Sequence, residues 1–240
     1  MVLEKKLLKS KSQRVATIAM FSVLSVVLDS IVTPGFSAGV WFGWIFLISP
    51  LNGITLGPID GFITTLLSVM IGHTVVFRES VFEFIFTLGA PIASLIAGLV
   101  YKQRKSNVIL YFIFLLGAYF LSPISSNLPI WGMWDVYVTI LILIIWGLNE
   151  QKYKFFNNQR NRLALASLAG LEADILFRIF ILIPCRGYSI FYGLTPEVLV
   201  AIWAIPAPLI TPFKVTISTI FTVILIPKLI KQVENLEFKL

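Results

Sequence analysis

The 240-residue chain is 58% hydrophobic and 13% charged, against roughly 45–50% apolar and about 25% charged for a soluble domain, which excludes a fold built around one aqueous-phase core. Its net charge of +7 does not point to nucleic acid, because the basic residues flank apolar runs instead of forming one patch. A single cysteine, Cys185, and a single histidine, His73, exclude an internal disulfide and the usual zinc and haem ligand sets, so no metal or cofactor is expected.

Apolar runs near 20 residues match a hydrocarbon core about 30 Å thick at 1.5 Å rise per residue, and lipid permits only helices or closed barrels. Continuous runs such as residues 138–146 lack the two-residue alternation of a barrel strand. The expected fold is an all-α, polytopic transmembrane bundle of six to eight helices. In chain order the segments are 15–32, 40–56, 62–77, 81–101, 108–121, 134–148, 163–183 and 198–229. The first is too long for the core of a signal peptide and no small-residue cleavage site follows it, so it is expected to be retained. The fifth and sixth are short; as a re-entrant pair they would reduce eight crossings to six. The last carries Pro206, Pro208 and Pro212, which break or kink its first half.

Fifteen of the nineteen basic residues lie in four clusters: Lys5, Lys6, Lys9, Lys11 and Arg14; Lys102, Arg104 and Lys105; Lys152, Lys154, Arg160 and Arg162; and Lys228, Lys231 and Lys239. Eight crossings put all four on one side, and the positive-inside rule makes that side cytoplasmic, together with both termini. The link Gly57-Pro58-Ile59-Asp60-Gly61 then becomes a tight cytoplasmic turn, while residues 33–39, 78–80, 122–133 and 184–197 face outside.

Ionisable residues at membrane depth are costly and are the first functional candidates. Glu83, flanked by Phe82, Phe84 and Phe86, is placed to hold a cationic ligand against aromatic faces, or else to pair with Arg78 or Arg186. Asp174 and Arg178 are four apart and neutralise each other on one helix face. Glu172 points roughly 160–200° away from Asp174 and needs a partner or a wet cavity, with Lys214 the nearest candidate in sequence. Asp29 and Asp135 lie near the outer boundary, where water is expected to reach them. Trp41, Trp44, Trp131, Trp134, Tyr188, Phe191 and Tyr192 gather at outer ends, as an interfacial belt or as the lining of a pocket. His73 suits a hydrogen bond to a ligand or to packing partners. Gly89, Ala93 and Ala97, with Ala90, Ser94 and Gly98 one residue on, form small-residue stripes for close helix packing, inside the bundle or against another membrane subunit.

The chain contains no Gly-x-x-x-x-Gly-Lys-Ser/Thr phosphate loop, His-Glu-x-x-His or Gly-x-Ser-x-Gly motif. No catalytic constellation is legible, and the protein is not expected to be an enzyme.

The runs Gly57-Pro58-Ile59-Asp60-Gly61, Leu67-Ser68-Val69-Met70-Ile71-Gly72-His73, Phe82-Glu83-Phe84 and Ala90-Pro91-Ile92-Ala93-Ser94-Leu95-Ile96-Ala97-Gly98-Leu99 resemble the substrate-binding S components of energy-coupling factor transporters, the thiamine-specific type most of all. The likeness covers residues 15–105, and Pro212-Phe213-Lys214-Val215-Thr216-Ile217-Ser218 with Ile226-Pro227-Lys228-Leu229 is similar to the closing helix of such proteins. On that likeness the chain is one integral membrane domain, 1–240: a basic N-terminus (1–14), an S-component-like first half (15–105), an added helix pair (106–150) and a second half (151–240). The departures are the added pair and a first helix in which Ala19 is followed four residues on by Val23 instead of a second alanine.

The resemblance implies a plasma-membrane subunit with an outward pocket for a small vitamin, thiamine-like in the first guess. It also implies a separate transmembrane coupling subunit and two ATPase subunits as partners. Glu83 matches the position of the family's acid that meets a cationic ligand. His73, Trp131, Trp134, Arg186, Tyr188 and Glu172 join it as binding candidates by location. Asp174, Arg178 and Lys214 form a charge network, and Ala16, Ala19, Gly89, Ala93 and Ala97 are docking candidates. Two rival readings stand beside it: an ion- or proton-coupled secondary transporter using Glu172, Asp174, Arg178 and Lys214 as a midplane relay, and a membrane enzyme using Glu172 and Asp174 as acid and base.

Overall fold

The computed structural model describes residues 11–31, 43–76, 83–148 and 158–237. Lys5, Lys6, Lys9, Trp41, Arg78, Phe82, Lys152, Lys154 and Lys239 lie outside the described residues, as do the two outer loops expected at 33–39 and 78–80. The described chain is helical, with no β-strand.

Its helices are α1 (Lys11–Ser30), α2 (Ser49–Leu56, entered through a 3-10 turn at Trp44–Leu47), α3 (Pro58–Val75), α4 (Glu83–Thr87), α5 (Gly89–Tyr101) and α6 (Lys105–Leu121). After 3-10 turns at Pro123–Asn127 and Ile130–Met133 come α7 (Trp134–Leu148), α8 (Gln159–Leu182), α9 (Gly187–Ile190), α10 (Pro196–Ala204) and α11 (Ala207–Glu237). Among the described residues, five stretches are long and apolar enough to cross a membrane: Lys11–Ser30, Pro58–Val75, Phe84–Tyr101, Ile130–Leu148 and Ala207–Lys231. Trp44–Leu56 and Lys105–Leu121 are shorter apolar helices. At 24 residues α8 is long enough, but Glu172, Asp174 and Arg178 lower its hydropathy, and it is the helix the others surround, packing against α5, α11, α6, α2 and α7.

Polarity runs inside out. Ser25, Asn52, Thr64, Thr65, Ser68, Ser94, Thr139, Ser218 and Thr222 are buried, while Met20, Val23, Leu110, Phe114, Leu141, Phe213 and Ile224 are exposed. That distribution is compatible with lipid around the bundle, where apolar side chains gain nothing by turning inward and interhelical hydrogen bonds and close packing hold helices together. Asn52 of α2 donates to Ser25 of α1 and to Thr65 of α3, each at 3.0 Å. Thr65 in turn meets Ser94 of α5 at 2.6 Å, and the Ser94 hydroxyl reaches the Ser49 carbonyl. Gly57, at φ 92°, adopts a left-handed conformation that a side chain resists, and this allows α2 to turn directly into α3.

The small stripes of α5 are spent inside the bundle. A Cβ at Gly53 would lie 1.8 Å from the Ser94 carbonyl oxygen, and one at Gly170 would lie 2.7 Å from that of Ala93 and 2.9 Å from the Ala97 Cβ. Gly89, Ala93 and Ala97 therefore serve α5–α8 packing, which corrects their candidacy for subunit docking. Ala16 and Ala19 are exposed on α1. The proline-rich segment breaks at Ile205–Pro206, between α10 and α11, and Pro212 and Pro227 stay within α11. The fourth segment breaks at Leu88, between α4 and α5.

Candidate functional site

Arg14, Arg104, Lys105, Arg160, Arg162 and Lys228 mark one end of the bundle, at the starts of α1, α6 and α8 and in the later part of α11. A cavity of about 200 Å³ lies towards the other end. Its wall is formed by the last turn of α1, the 3-10 turn before α2, the end of α4, the start of α7, the second half of α8, α10 and the start of α11. Most of that wall is apolar and aromatic, including Phe46, Phe86, Tyr192 and Trp203, and the polar members are Asp29, Thr87, Asp135, Asp174, Arg178, Thr211 and Lys214.

Three polar groupings reach the cavity. In the first, His73 is 1% exposed, and its Nδ1 lies 2.9 Å from both Asp29 Oδ2 and the Val69 carbonyl oxygen. Two acceptors require the proton on Nδ1. Nε2 then faces the Thr87 hydroxyl at 2.6 Å, so one imidazole links α1, α3 and α4 directly behind the cavity wall. The gap that admits Asp29 exists because Gly72 has no side chain: a Cβ there would stand 2.5 Å from Asp29 Oδ2.

In the second grouping Arg178 donates through Nε to Asp174 Oδ1 at 2.6 Å and through a terminal nitrogen to Oδ2 at 3.3 Å. Gly89 of α5 lies against this carboxylate, which a Cβ would meet at 1.8 Å. Lys214 of α11 joins the group, acting on Asp174 and Arg178 by charge and standing 5.8 Å over the Phe46 ring.

In the third, Asp135 Oδ1 accepts the Val136 backbone N–H at 3.0 Å while Oδ2 meets the Thr211 hydroxyl at 2.5 Å. That same hydroxyl lies 2.8 Å from the Ala207 carbonyl. Just behind the wall, Glu172 is 0% exposed, and neither of its carboxyl oxygens has a hydrogen-bond partner.

Several expectations need correction. Asp29 and Asp135 are buried, at 1% and 6% exposure, not solvated at the boundary, because the ends of α3, α4 and α11 close over them. Lys214 sits with Asp174 and Arg178 and does not partner Glu172. Trp131 and Trp134 do not line the cavity: their indole N–H groups donate to the carbonyls of Ala204 at 3.2 Å and Pro208 at 3.0 Å, tying the start of α7 to the α10–α11 break from outside. Arg186 is exposed at a left-handed turn, and Tyr188 packs against the core; neither is among the cavity residues. His73 acts behind the wall through Thr87. The side chain of Glu83 lies outside what is described, although its helix ends at Thr87 on the wall.

Thr87, Thr211, Phe46 and Trp203 are absent from the sequence reading, which does single out Phe86 and Tyr192. One signal for the Asp29–His73 pair was present: each residue sits three or four places before the expected outer end of its segment, so antiparallel threading through α2 brings them to the same depth. Among the described residues no group of three or more His, Cys, Asp or Glu side chains is arranged to hold a metal ion. Compared with protein-family models, curated proteins and solved structures, the chain matches none.

Proposed function

We propose that this chain is the substrate-binding transmembrane subunit of an energy-coupling-factor-type importer, presenting its cavity at the outer face of the plasma membrane to a compact vitamin-like molecule. The observation that carries this reading is the position of the cavity, at the end of the bundle away from the basic residues. By the positive-inside rule that end is the outer one, and the termini are cytoplasmic. Small-ligand sites commonly combine an apolar wall with a few convergent polar groups in about 300–1,000 Å³. A cavity of about 200 Å³ therefore favours a small ligand. Phe46, Phe86 and Trp203 suit a flat ring, while Asp135, Thr211 and the Asp174–Arg178 pair suit polar substituents at its edge. With no phosphate-loop motif in the sequence, energy for uptake must come from elsewhere, which fits a coupling subunit and two ATPase subunits.

One observation favours the ion-coupled transporter as second reading. The cavity is lined by a proline-broken helix, α10–α11, together with Asp174, Arg178 and Lys214, and discontinuous helices beside charged groups are a recurring feature of secondary transporters. Uptake of a bound ligand into vesicles separates the two. The importer reading predicts dependence on ATP hydrolysis by partner subunits and indifference to ionophores. Uptake by this chain alone that collapses with an ionophore would establish the second reading instead.

A further inference from the structure

Glu172 is the charged-type residue that the ligand site leaves unused. It stands in the middle of α8, the central helix, 0% exposed and without a hydrogen-bond partner for either oxygen. A bare carboxylate in such a place costs far more than any helix packing returns, whereas a neutral carboxyl group costs only its unmade hydrogen bonds.

Among the described residues, the charged and titratable groups around α8 supply no compensating cation. Asp135 at the start of α7 is the group whose charge acts on Glu172, and it is an acid. On α6, the Tyr111 hydroxyl is given to the Ala173 carbonyl at 2.8 Å, and Lys105 donates to the Trp146 carbonyl at the basic end. Lys214 of α11 is gathered with Asp174 and Arg178, the latter two on the opposite face of α8. Tyr137 of α7 and Tyr188 of α9 bring no positive charge, and neither α2 nor α5 places a basic residue within its helix.

Asp135 adds a second observation. The Thr211 hydroxyl has one proton and two acceptors in reach, the Ala207 carbonyl and Asp135 Oδ2. It donates to Asp135 Oδ2 while the Val136 N–H donates to Oδ1, and two donors aimed at the two oxygens suit the ionised carboxylate, the form able to take up a proton. Two acids close enough to feel each other's charge, one sealed in the bundle and one on the cavity wall, are an arrangement for holding a proton and passing it.

We propose that Glu172 is a proton-binding site, carried as a neutral carboxylic acid inside the bundle and exchanging its proton with the cavity through Asp135. On release the Glu172 O–H bond breaks and its proton goes to a water that enters between the two acids, which gives one of its own protons to the Asp135 carboxylate; Asp135 then passes that proton to water in the cavity, and uptake reverses these steps. The inference does not depend on which ligand fills the cavity or on which partners drive uptake.

The test is infrared spectroscopy of the purified full-length protein in lipid, with glutamate isotopically labelled at its side-chain carboxyl. A protonated glutamate band is expected at neutral pH, lost in E172Q. Its titration midpoint is expected to move in D135N and to stay in place in D174N. If E172Q does not fold, the same band in wild-type protein, followed by mapping of a membrane-permeant carbodiimide adduct to Glu172, supplies the assignment. Absence of any protonated glutamate band at neutral pH overturns the proposal. So does a band whose titration ignores D135N, which would leave Glu172 a neutral packing group with no route to the cavity.

Discussion

Asp29 and His73, from helices α1 and α3, meet at 2.9 Å with both side chains 1% exposed, and the same two helices are joined at their other ends by Arg14 and Asp60. The two links lie roughly 20 Å apart along the helices, at 1.5 Å per residue. They fix the parallel register of α1 and α3, and the Asp29–His73 link also sets the cavity wall, since His73 Nε2 faces the Thr87 hydroxyl.

The two links should differ in worth. Removing one partner of a buried polar pair strands the other, at about 3–5 kcal/mol, so D29A is expected to lower unfolding stability by roughly that much and D29N by less. Arg14 is 53% exposed at its side chain but Asp60 only 8%, so the pair lies between the surface case and the buried one. R14A is expected to cost clearly less than D29A without being silent, because the Asp60 carboxylate loses its guanidinium partner. Equilibrium unfolding of the purified variants checks the contrast.

Close helix contact predicts a second contrast. G53A places a methyl 1.8 Å from the Ser94 carbonyl, a clash with backbone, and is expected to abolish accumulation of folded protein. Gly117 on α6 has nothing within 4 Å of an added Cβ. G117A is therefore expected to be neutral or to stabilise by up to about 1 kcal/mol through helix propensity. Expression level and melting temperature read both.

Cys185 offers a direct reading of orientation. It is the chain's single cysteine and is exposed, at the end of the bundle bearing the cavity. A membrane-impermeant maleimide added to intact cells is expected to label it, and to leave unlabelled a cysteine introduced at Gln103 in a C185S background. Burial of part of the thiol raises it above its ordinary range, and the thiolate is the reactive form. Labelling is accordingly expected to quicken as pH rises through the alkaline range. Labelling of position 103 and not 185 would invert the topology.

Gly89 allows the Asp174–Arg178 pair to be moved without touching either residue. In G89A the new methyl must displace Asp174 Oδ1, so any ligand that uses this pair is expected to bind at least tenfold more weakly, which is about 1.4 kcal/mol. The measurement is the dissociation constant of the G89A variant beside that of wild type.

The helices, the proline break and the polarity of the two ends were legible because each is local: run length, proline position and loop charge all lie within one segment. The Asp174–Arg178 pair was legible for the same reason, being four residues apart on one helix. What the sequence concealed depends on contacts between segments. Asp29 and Asp135 read as boundary acids because their own helices end near them, yet neighbouring helix ends bury both. Trp131 and Trp134 read as pocket candidates, but their bonds to Ala204 and Pro208 follow from where the chain breaks between α10 and α11. Lys214 was assigned to Glu172 by proximity in sequence, and the helix face it occupies takes it to Asp174.

The central claim is that the cavity binds a compact small molecule, and the melting temperature of the purified protein against a panel of vitamins and their precursors tests it most directly. The account predicts that one compound raises the midpoint, since a ligand at about 100 times its dissociation constant stabilises by roughly 2.7 kcal/mol. It also predicts that I210W, which fills the cavity from α11, removes the shift while remaining folded without ligand. A panel that leaves the wild-type midpoint unchanged, or a shift that survives I210W, would contradict it.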